Sequence, residues 1–345
     1  VHSTGSLLII TLWLVTILSV LAIAVARYLS TEVRLTKYRL AHEQALILAR
    51  SGVYLAIQRL VQDEQPKPGG KIYDSLADDW AVFPKGDPAD PTAWVISLAV
   101  DPNDPASGTR ELRIHMTDEE RKIDLNQLPS DATTFSAVST LLTSDELTAR
   151  LVDSIDGDAT PFVVPQSRVV GLESDATLVP PYVAKNAHPV ALEELLEVPG
   201  MTPEAISVLR QSTSVSYATQ AKLNINTVAP EVLVSLGFSP DHALGIDACR
   251  KQGVVFDDLT TILTKADGCT GSAGALQANE QTFLMNRVGI TSQTFTIVSD
   301  GIVSLSGGSL KRPPVHARVE AVIQRQACPA NVPKPCVVAW REGRT

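Results

Sequence analysis

Leu7–Ala26 reads LLIITLWLVTILSVLAIAVA, twenty residues with no charge and only Thr11, Thr16 and Ser19 as hydroxyls. A helix of that length spans a bilayer. The span has no visible end, because from Arg27 the sequence turns amphipathic and runs to Asp63 without proline and with one glycine, Gly52. One continuous helix of about 55 residues, about 80 Å long, is predicted. Its first half lies in lipid and its second half leads into a folded domain. At about 100° per residue, Val33, Leu40, Ile47, Leu48 and Leu55 form one stripe, and Leu35, Leu46, Val53, Ile57 and Leu60 form the opposite one. From Leu46 onward the helix is therefore expected to be wrapped by the domain. Arg27, Glu32, Arg34, Lys37 and Arg39 suit the exit from a membrane.

Three readings of this N-terminus compete. Ala24-Val25-Ala26 resembles a signal-peptide cleavage site, but twenty apolar residues are long for such a segment and no Lys or Arg precedes them. A plain single-pass anchor is the second reading. The third is a prepilin-type segment, in which a short leader ends at Gly5 and the apolar helix follows at once.

The residues that favour the third are Gly5-Ser6-Leu7-Leu8-Ile9-Ile10, the apolar helix, and then Ala45-Leu46-Ile47-Leu48-Ala49-Arg50-Ser51-Gly52-Val53. Together they resemble the start of the type II secretion system protein K family. Most pilin-like proteins carry Glu as the fifth mature residue; protein K lacks it, and here the fifth residue from Ser6 is Ile10. The resemblance implies cleavage between Gly5 and Ser6 by the prepilin peptidase. It also implies insertion through the inner-membrane secretion assembly platform, a single-pass inner-membrane anchor and a periplasmic globular part. It further implies a non-catalytic role at the tip of a pseudopilus. There the helix, through residues such as Ile10, Leu29, Val33 and Leu40, would pack on minor pseudopilins of the I and J types.

Composition sets outer bounds on these readings. The 345 residues are 44% hydrophobic, enough for an anchor and a sizeable core, and the net charge of −9 argues against nucleic acid as a partner. Cys249, Cys269, Cys328 and Cys336 contain no CxxC and read as disulfides of an exported domain. Of the three possible connectivities, Cys249 with Cys269 and Cys328 with Cys336 close short loops and are expected.

Beyond the helix, the region from Gln65 to Pro91 reads as loops around the Trp80–Phe83 patch. Trp94–Val100 and Arg110–Met116 read as a hairpin turned at Pro102, Asn103, Asp104, Pro105 and Gly108. Strands return only at Phe295–Val303, Val315–Ile323 and Val337–Trp340, the first two separated by Gly307-Gly308 and Pro313-Pro314. Between them the sequence is helical by pattern, over Leu141–Ile155, Leu192–Val198, Pro203–Leu209 and Pro230–Leu236. Two phrases echo inside it, Lys122-Ile123-Asp124-Leu125-Asn126 and Lys222-Leu223-Asn224-Ile225-Asn226-Thr227, which points to two related helical units. The fold class is α+β, pilin-like: a long N-terminal helix on an antiparallel sheet with a large inserted all-α domain. The expected boundaries are 1–5 leader, 6–64 helix, 65–117 first sheet segment, 118–286 inserted helical domain and 287–345 closing strands. Protein K is built in the same way, with similar Asn-rich phrases before its helices.

Leu192–Met201 and Leu223–Ala243 resemble helix-hairpin-helix units, whose DNA-binding members offer backbone N–H groups to a phosphate. Here Pro203 and Pro240-Asp241 follow the hairpin glycines Gly200 and Gly237, removing donors and adding a like charge. From His188 to Leu259 there are four Lys or Arg against nine Asp or Glu, the wrong sign for DNA. The motifs are expected to pack protein. A DNA-uptake receptor and a type IV pilus-associated minor pilin remain the alternatives.

One constellation carries site chemistry. Asp153-Ser154-Ile155-Asp156-Gly157-Asp158 and Gly171-Leu172-Glu173-Ser174-Asp175 bring acids together around glycines, a donor set for Ca2+. Asp153, Asp156, Asp158, Glu173 and Asp175 are the candidate ligands. Protein K has a similar Asp-rich phrase followed by Gly-x-Glu and a Tyr, matched by Gly171, Glu173 and Tyr182, and members of that family bind calcium. The plain alternative is a solvated acidic loop after a helix. Asp267 beside Cys269 is a weaker candidate. No HExxH, GxSxG or P-loop occurs and the six histidines are scattered, so no enzyme is expected.

Overall fold

The computed structural model describes residues 4–343 apart from 68, 83–85, 88–89, 102–103, 166, 216–221, 306–312, 327, 329–330 and 333. Phe83, the turn residues Pro102 and Asn103, and Gly307-Gly308 therefore lie outside the described residues, as does the side chain of Ser6. Helix α1 runs unbroken over Thr4–Asp63. Six strands form one antiparallel sheet: β1 Gly86–Asp87, β2 Asp90–Asp101, β3 Asp104–Asp118, β4 Thr294–Leu305, β5 Val315–Gln324 and β6 Cys336–Gly343. Their order in space is their order in sequence. The sheet is thus a simple meander whose β3–β4 hairpin, from Asp118 opposite Phe295 to Gly108 opposite Leu305, is split by a long helical excursion.

The face that α1 lays on the sheet is small-residue rich. Ala41, Ala45, Ala49, Val53, Ala56 and Leu60 are buried there against Leu112, Ile114, Phe295, Ile297, Val303, Val319 and Ile323. This corrects the expectation of a wrapped helix. One of the two predicted stripes, with Leu46, Val53, Ile57 and Leu60, does meet the sheet, and Ala41, Ala45, Ala49, Ala56 and Gly52 beside it let the backbones approach. The stripe Val33, Leu40, Ile47 and Tyr54, spaced by sevens, stays exposed on the opposite side. A bidentate Arg50–Glu342 pair and the Tyr54–Trp340 ring contact tie the helix to β6.

The helical region carries α2 Ala132–Leu142, α3 Asp145–Ile155, α4 Pro203–Ser212, α5 Pro230–Ser235, α6 Pro240–Lys251, α7 Ile262–Thr270 and α8 Ala278–Arg287. The single helix expected over Leu141–Ile155 is two. Thr143 takes a left-handed φ of 52° and ends α2, and the Ser144 hydroxyl caps the Leu147 amide to start α3. Leu192–Glu197 is a 3-10 turn.

The two echoed phrases occupy matching places. Ile123–Asp124 pairs in parallel with Thr213–Ser214, and Leu223–Asn224 pairs in parallel with Val288–Gly289. In each phrase the second polar side chain accepts from an amide two residues on, Asp124 from Asn126 and Asn224 from Asn226. Each phrase also opens its own core, one around Leu125, Leu151, Leu195 and Leu209, the other around Ile225, Leu233, Ile246 and Phe256. Asn226 locks the second core by donating to Phe256 O at 2.9 Å and accepting from Phe256 N at 2.8 Å. Asn226→Ala is expected to cost about 2 kcal/mol in urea unfolding, because both buried backbone groups of Phe256 lose their partner. Disulfides Cys249–Cys269, joining α6 to α7, and Cys328–Cys336, ahead of β6, are formed.

Candidate metal centre

Helix α3 delivers Asp153 in its last turn and stops at Asp156, where the backbone turns extended (ψ 169°). Gly157 and Asp158 carry the chain round, and Ser174–Asp175 pairs antiparallel with Tyr182–Val183 to bring Glu173 back over the helix end. Ala184 N donates to Glu173 O at 2.7 Å, Ala187 N to Ser154 O at 3.3 Å, and the Asn186 amide to Asp158 O. Three separate segments thus converge on one point.

Carboxylate oxygens of Asp156, Asp158 and Glu173 lie within 4.8 Å of one another. That is about twice a Ca2+–oxygen bond, so one ion reaches all three. Five side-chain oxygens here are buried without a hydrogen-bond partner: Asp153 Oδ2, Asp156 Oδ1, Glu173 Oε1, Asn186 Oδ1 and the Tyr182 hydroxyl. Orphaned acceptors of this kind are rare and costly in a protein interior. Burial first, then the carboxylates of Asp158, Asp153 and Glu173, push Asp156 up to about 6. Asp153 is raised by burial and then by Glu173 and Asp158, and Tyr182 by burial and then by Asp153 and Glu173. Among the described residues no ion pair reaches these acids. An all-oxygen, acceptor-only set with surplus negative charge fits a hard divalent cation of the calcium kind.

Gly171 leaves room for this arrangement. A Cβ there would stand 1.9 Å from Asp153 Oδ2 and 2.9 Å from Ala149 O. Asp153 itself is held by the Phe162 amide at 2.6 Å. Asp175 is a correction to the expected ligand set. Its Oδ1 accepts from the Thr177 hydroxyl at 2.6 Å and amide at 2.8 Å, which hold its pKa below the usual range, and it is not one of the three acids whose oxygens come within 4.8 Å of one another. Asn186, at a left-handed φ of 50°, donates its amide to Asp158 O beside the acids and leaves its own Oδ1 buried without a partner. No spacing rule marks Asn186; an Asn shortly after the Gly-x-Glu and Tyr phrase is the only signal. Asp267 is spent on the Leu276 amide.

No family model matches the chain, and no curated protein matches it. A chain in the crystal structure of the GspK-GspI-GspJ complex from the enterotoxigenic Escherichia coli type 2 secretion system aligns over 90% of this chain and 99% of its own, with a TM-score of 0.61 and 17% identity. The fold is that of a K-like pseudopilin. The likeness takes in the sheet and the helical region together, since nine-tenths of the chain is aligned.

The other expected site residues are spread along α1. Ile10, Leu29, Val33 and Leu40 are all more than half exposed. Leu29, Val33 and Leu40 fall on the open stripe that continues to Tyr54, whereas Ile10 projects from a different side of the helix.

The hairpin glycines Gly200 and Gly237 have φ of 92° and 95°, as a helix-hairpin-helix turn requires. At the second, the place of a phosphate is taken from within. Glu280 accepts from Ser239 N at 2.8 Å and Gln277 N at 2.7 Å and pairs with His242 at 2.7 Å.

Proposed function

We propose that this chain is a minor pseudopilin of the type II secretion system, of the K type, that caps the pseudopilus tip together with I-type and J-type partners and has no catalytic role. The observation that carries the reading is where the helical region sits. The chain leaves the sheet at Asp118 and returns at Thr294, beside Asp63, the last residue of α1, which shares Arg325 with Asp74. The insertion therefore stands at the end of α1 far from the apolar span. In a helical fibre that is the end on which the next subunit would stack, and a body of this size blocks it. Ile10 in place of a membrane carboxylate agrees with a first subunit, which has no neighbour to pair such a charge.

In this reading the prepilin peptidase cuts between Gly5 and Ser6 and the assembly platform receives the protein from the bacterial inner membrane. The sheet and helical region lie in the periplasm, an oxidising compartment that suits two disulfides. Asp156, Asp158 and Glu173 would hold a calcium ion, with Asp153 and Asn186 beside them; the ion would neutralise the acids and join the three segments. DNA receptor function is disfavoured by Glu280 at the hairpin and by ten Lys or Arg against twenty-three Asp or Glu between Asp118 and Asn286.

The test is co-purification of the full chain in detergent with the I-type and J-type pseudopilins of the same organism, followed by sizing. A ternary species is expected, and Leu40→Asp with Ile47→Asp should weaken it by about 100-fold or more, since two charges then face an apolar partner. A chain that elutes alone in the presence of both partners would sink the tip reading.

A further inference from the structure

The two echoed phrases mark the ends of two self-contained units. In the first, the entry pair Ile123–Asp124 lies beside the exit pair Thr213–Ser214; in the second, Leu223–Asn224 lies beside Val288–Gly289. A unit whose chain enters and leaves at one point can open without moving the rest. The two units are fastened by different means. The second, α5 to α8, holds the Cys249–Cys269 disulfide and is tied to the sheet through buried groups. Asn224 Nδ2 donates to Ser292 Oγ at 2.7 Å, Thr227 Oγ1 to Asp118 at 2.5 Å, and Asp74 N to Ile290 O at 2.8 Å.

The first unit, α2 to α4 with the loops of the metal centre, has no disulfide, since all four cysteines lie beyond it. Clefts flank it on two sides. One of about 360 Å³ parts Gln127 and Asp131 from Phe283 and Arg287 of the second unit, and one of about 340 Å³ parts Leu192 and Glu193 from Arg318 and Arg341 of the sheet. Arg287 reaches Asp131 at 2.7 Å across the first cleft, and Arg341 reaches Glu193 at 3.3 Å across the second. Both arginines are exposed, and ion pairs so placed hold little. Ile123, Ala137 and Leu141 are the first unit's contribution to the second core. Between α3 and the turn at Leu192, the described chain forms only the Ser174–Asp175 and Tyr182–Val183 pair and the Val163–Val170 bridge, and it buries Val164 and Ala184 as its apolar side chains.

We propose that the first unit is a calcium latch that opens by itself. With the ion it is closed; without it α2 to α4 loosen while the second unit and the sheet keep their structure. The inference rests on the calcium reading above and adds to it where the ion's effect stops. Asp156 closes α3, whereas Asp158 and Glu173 come from the loops, so the ion fastens loop to helix within this unit alone. Withdrawing it leaves like charges facing one another and buried oxygens without partners, all inside the first unit. The second unit meets no such change, because its fastening is covalent. Calcium thereby sets how the first unit stands over its two clefts, and with it the shape that the helical region presents.

The test is hydrogen exchange by mass spectrometry on the full chain in detergent, in calcium chloride and in chelator at one pH, with bound calcium counted by equilibrium dialysis. At free calcium about 100-fold above its dissociation constant, an opening that expels the ion becomes about 100-fold rarer. Peptides of α2, α3 and α4 are therefore expected to lose about 100-fold in protection in chelator, and those of α5 to α8 and of β4 and β5 less than about threefold. Cys249→Ser with Cys269→Ser, read in calcium, should do the reverse: α6 and α7 lose protection and α3 keeps it. Calcium that binds by dialysis yet protects both units alike, or neither, overturns the latch and leaves the metal centre standing. No bound calcium, with exchange unchanged by chelator, overturns both.

Discussion

Gly301→Val abolishes the folded sheet or costs more than about 4 kcal/mol in urea unfolding followed by tryptophan fluorescence, an exceptional loss for one residue. A Cβ at Gly301 would stand 1.9 Å from Ala45 O, 2.8 Å from Ala45 C and 2.9 Å from Ala49 N, all helix backbone. The strand cannot retreat, because Gly301 is paired with Leu112 of β3 on one side and Ala317 of β5 on the other. The helix cannot retreat without uncovering Ala45, Ala49 and Val53, all fully buried. Trp80 and Trp94, which pack on this core, report its loss. Gly52→Ala is the informative control. Its Cβ would meet Ser299 Oγ at 2.1 Å and Leu112 Cδ1 at 2.8 Å, the ends of side chains that can rotate. The gain of about 1 kcal/mol in helix propensity offsets part of that adjustment, leaving a net loss of about 1 kcal/mol. A Gly301→Val protein of unaltered stability would mean that α1 does not lie on β4.

That contrast also shows what periodicity could and could not reveal. The strands 294–305, 315–324 and 336–343 were legible because Val, Ile and Phe alternate along them, and their separation from 90–118 exposed the insertion. Of the two expected helix stripes, the one with Leu46, Val53, Ile57 and Leu60 lies on the sheet, while the alanines between them carry little hydropathy signal and the stripe with Val33, Leu40 and Ile47 stays open. In a helix pressed against a sheet the small residues decide, and alanine carries little weight in a hydropathy pattern. The α2–α3 break was invisible because Thr143 is not a residue that advertises a left-handed turn. In the metal centre, acids close in sequence were legible, but the local hydrogen bonds of Asp175 and Asn186 were not. An Asx-type turn occupies Asp175 Oδ1 with Thr177, and a segment that returns only after Tyr182 brings the Asn186 amide to Asp158 O. Whether a side chain points into a cluster or back to its own backbone is a tertiary outcome.

Calcium should raise the thermal midpoint of the helical region by about 5–10 °C at neutral pH when the free ion is about 100-fold above its dissociation constant, and chelator should reverse the shift. The orphaned oxygens around Asp156, Asp158 and Glu173 gain a partner when a cation arrives. Glu173→Gln removes one negative charge from the carboxylate that the second segment brings to Asp156 and Asp158, and is expected to weaken binding by about 100-fold or more by titration calorimetry. Gly171→Ala should weaken binding without removing a charge, because its methyl group would displace the Asp153 carboxylate and press on Ala149 O of α3. The pH dependence has a definite sign. Burial and the neighbouring acids hold Asp156 at about 6 in the ion-free fold, above the ordinary Asp value. The ion-free protein therefore loses stability as pH rises from about 4 through about 6, while calcium must displace that proton and binds less well below about 6. The calcium-induced shift should consequently be larger at about pH 7.5 than at about pH 5.5. A midpoint that ignores calcium at both pH values, with Glu173→Gln indistinguishable from the unaltered chain, would leave the cluster a solvated acidic loop.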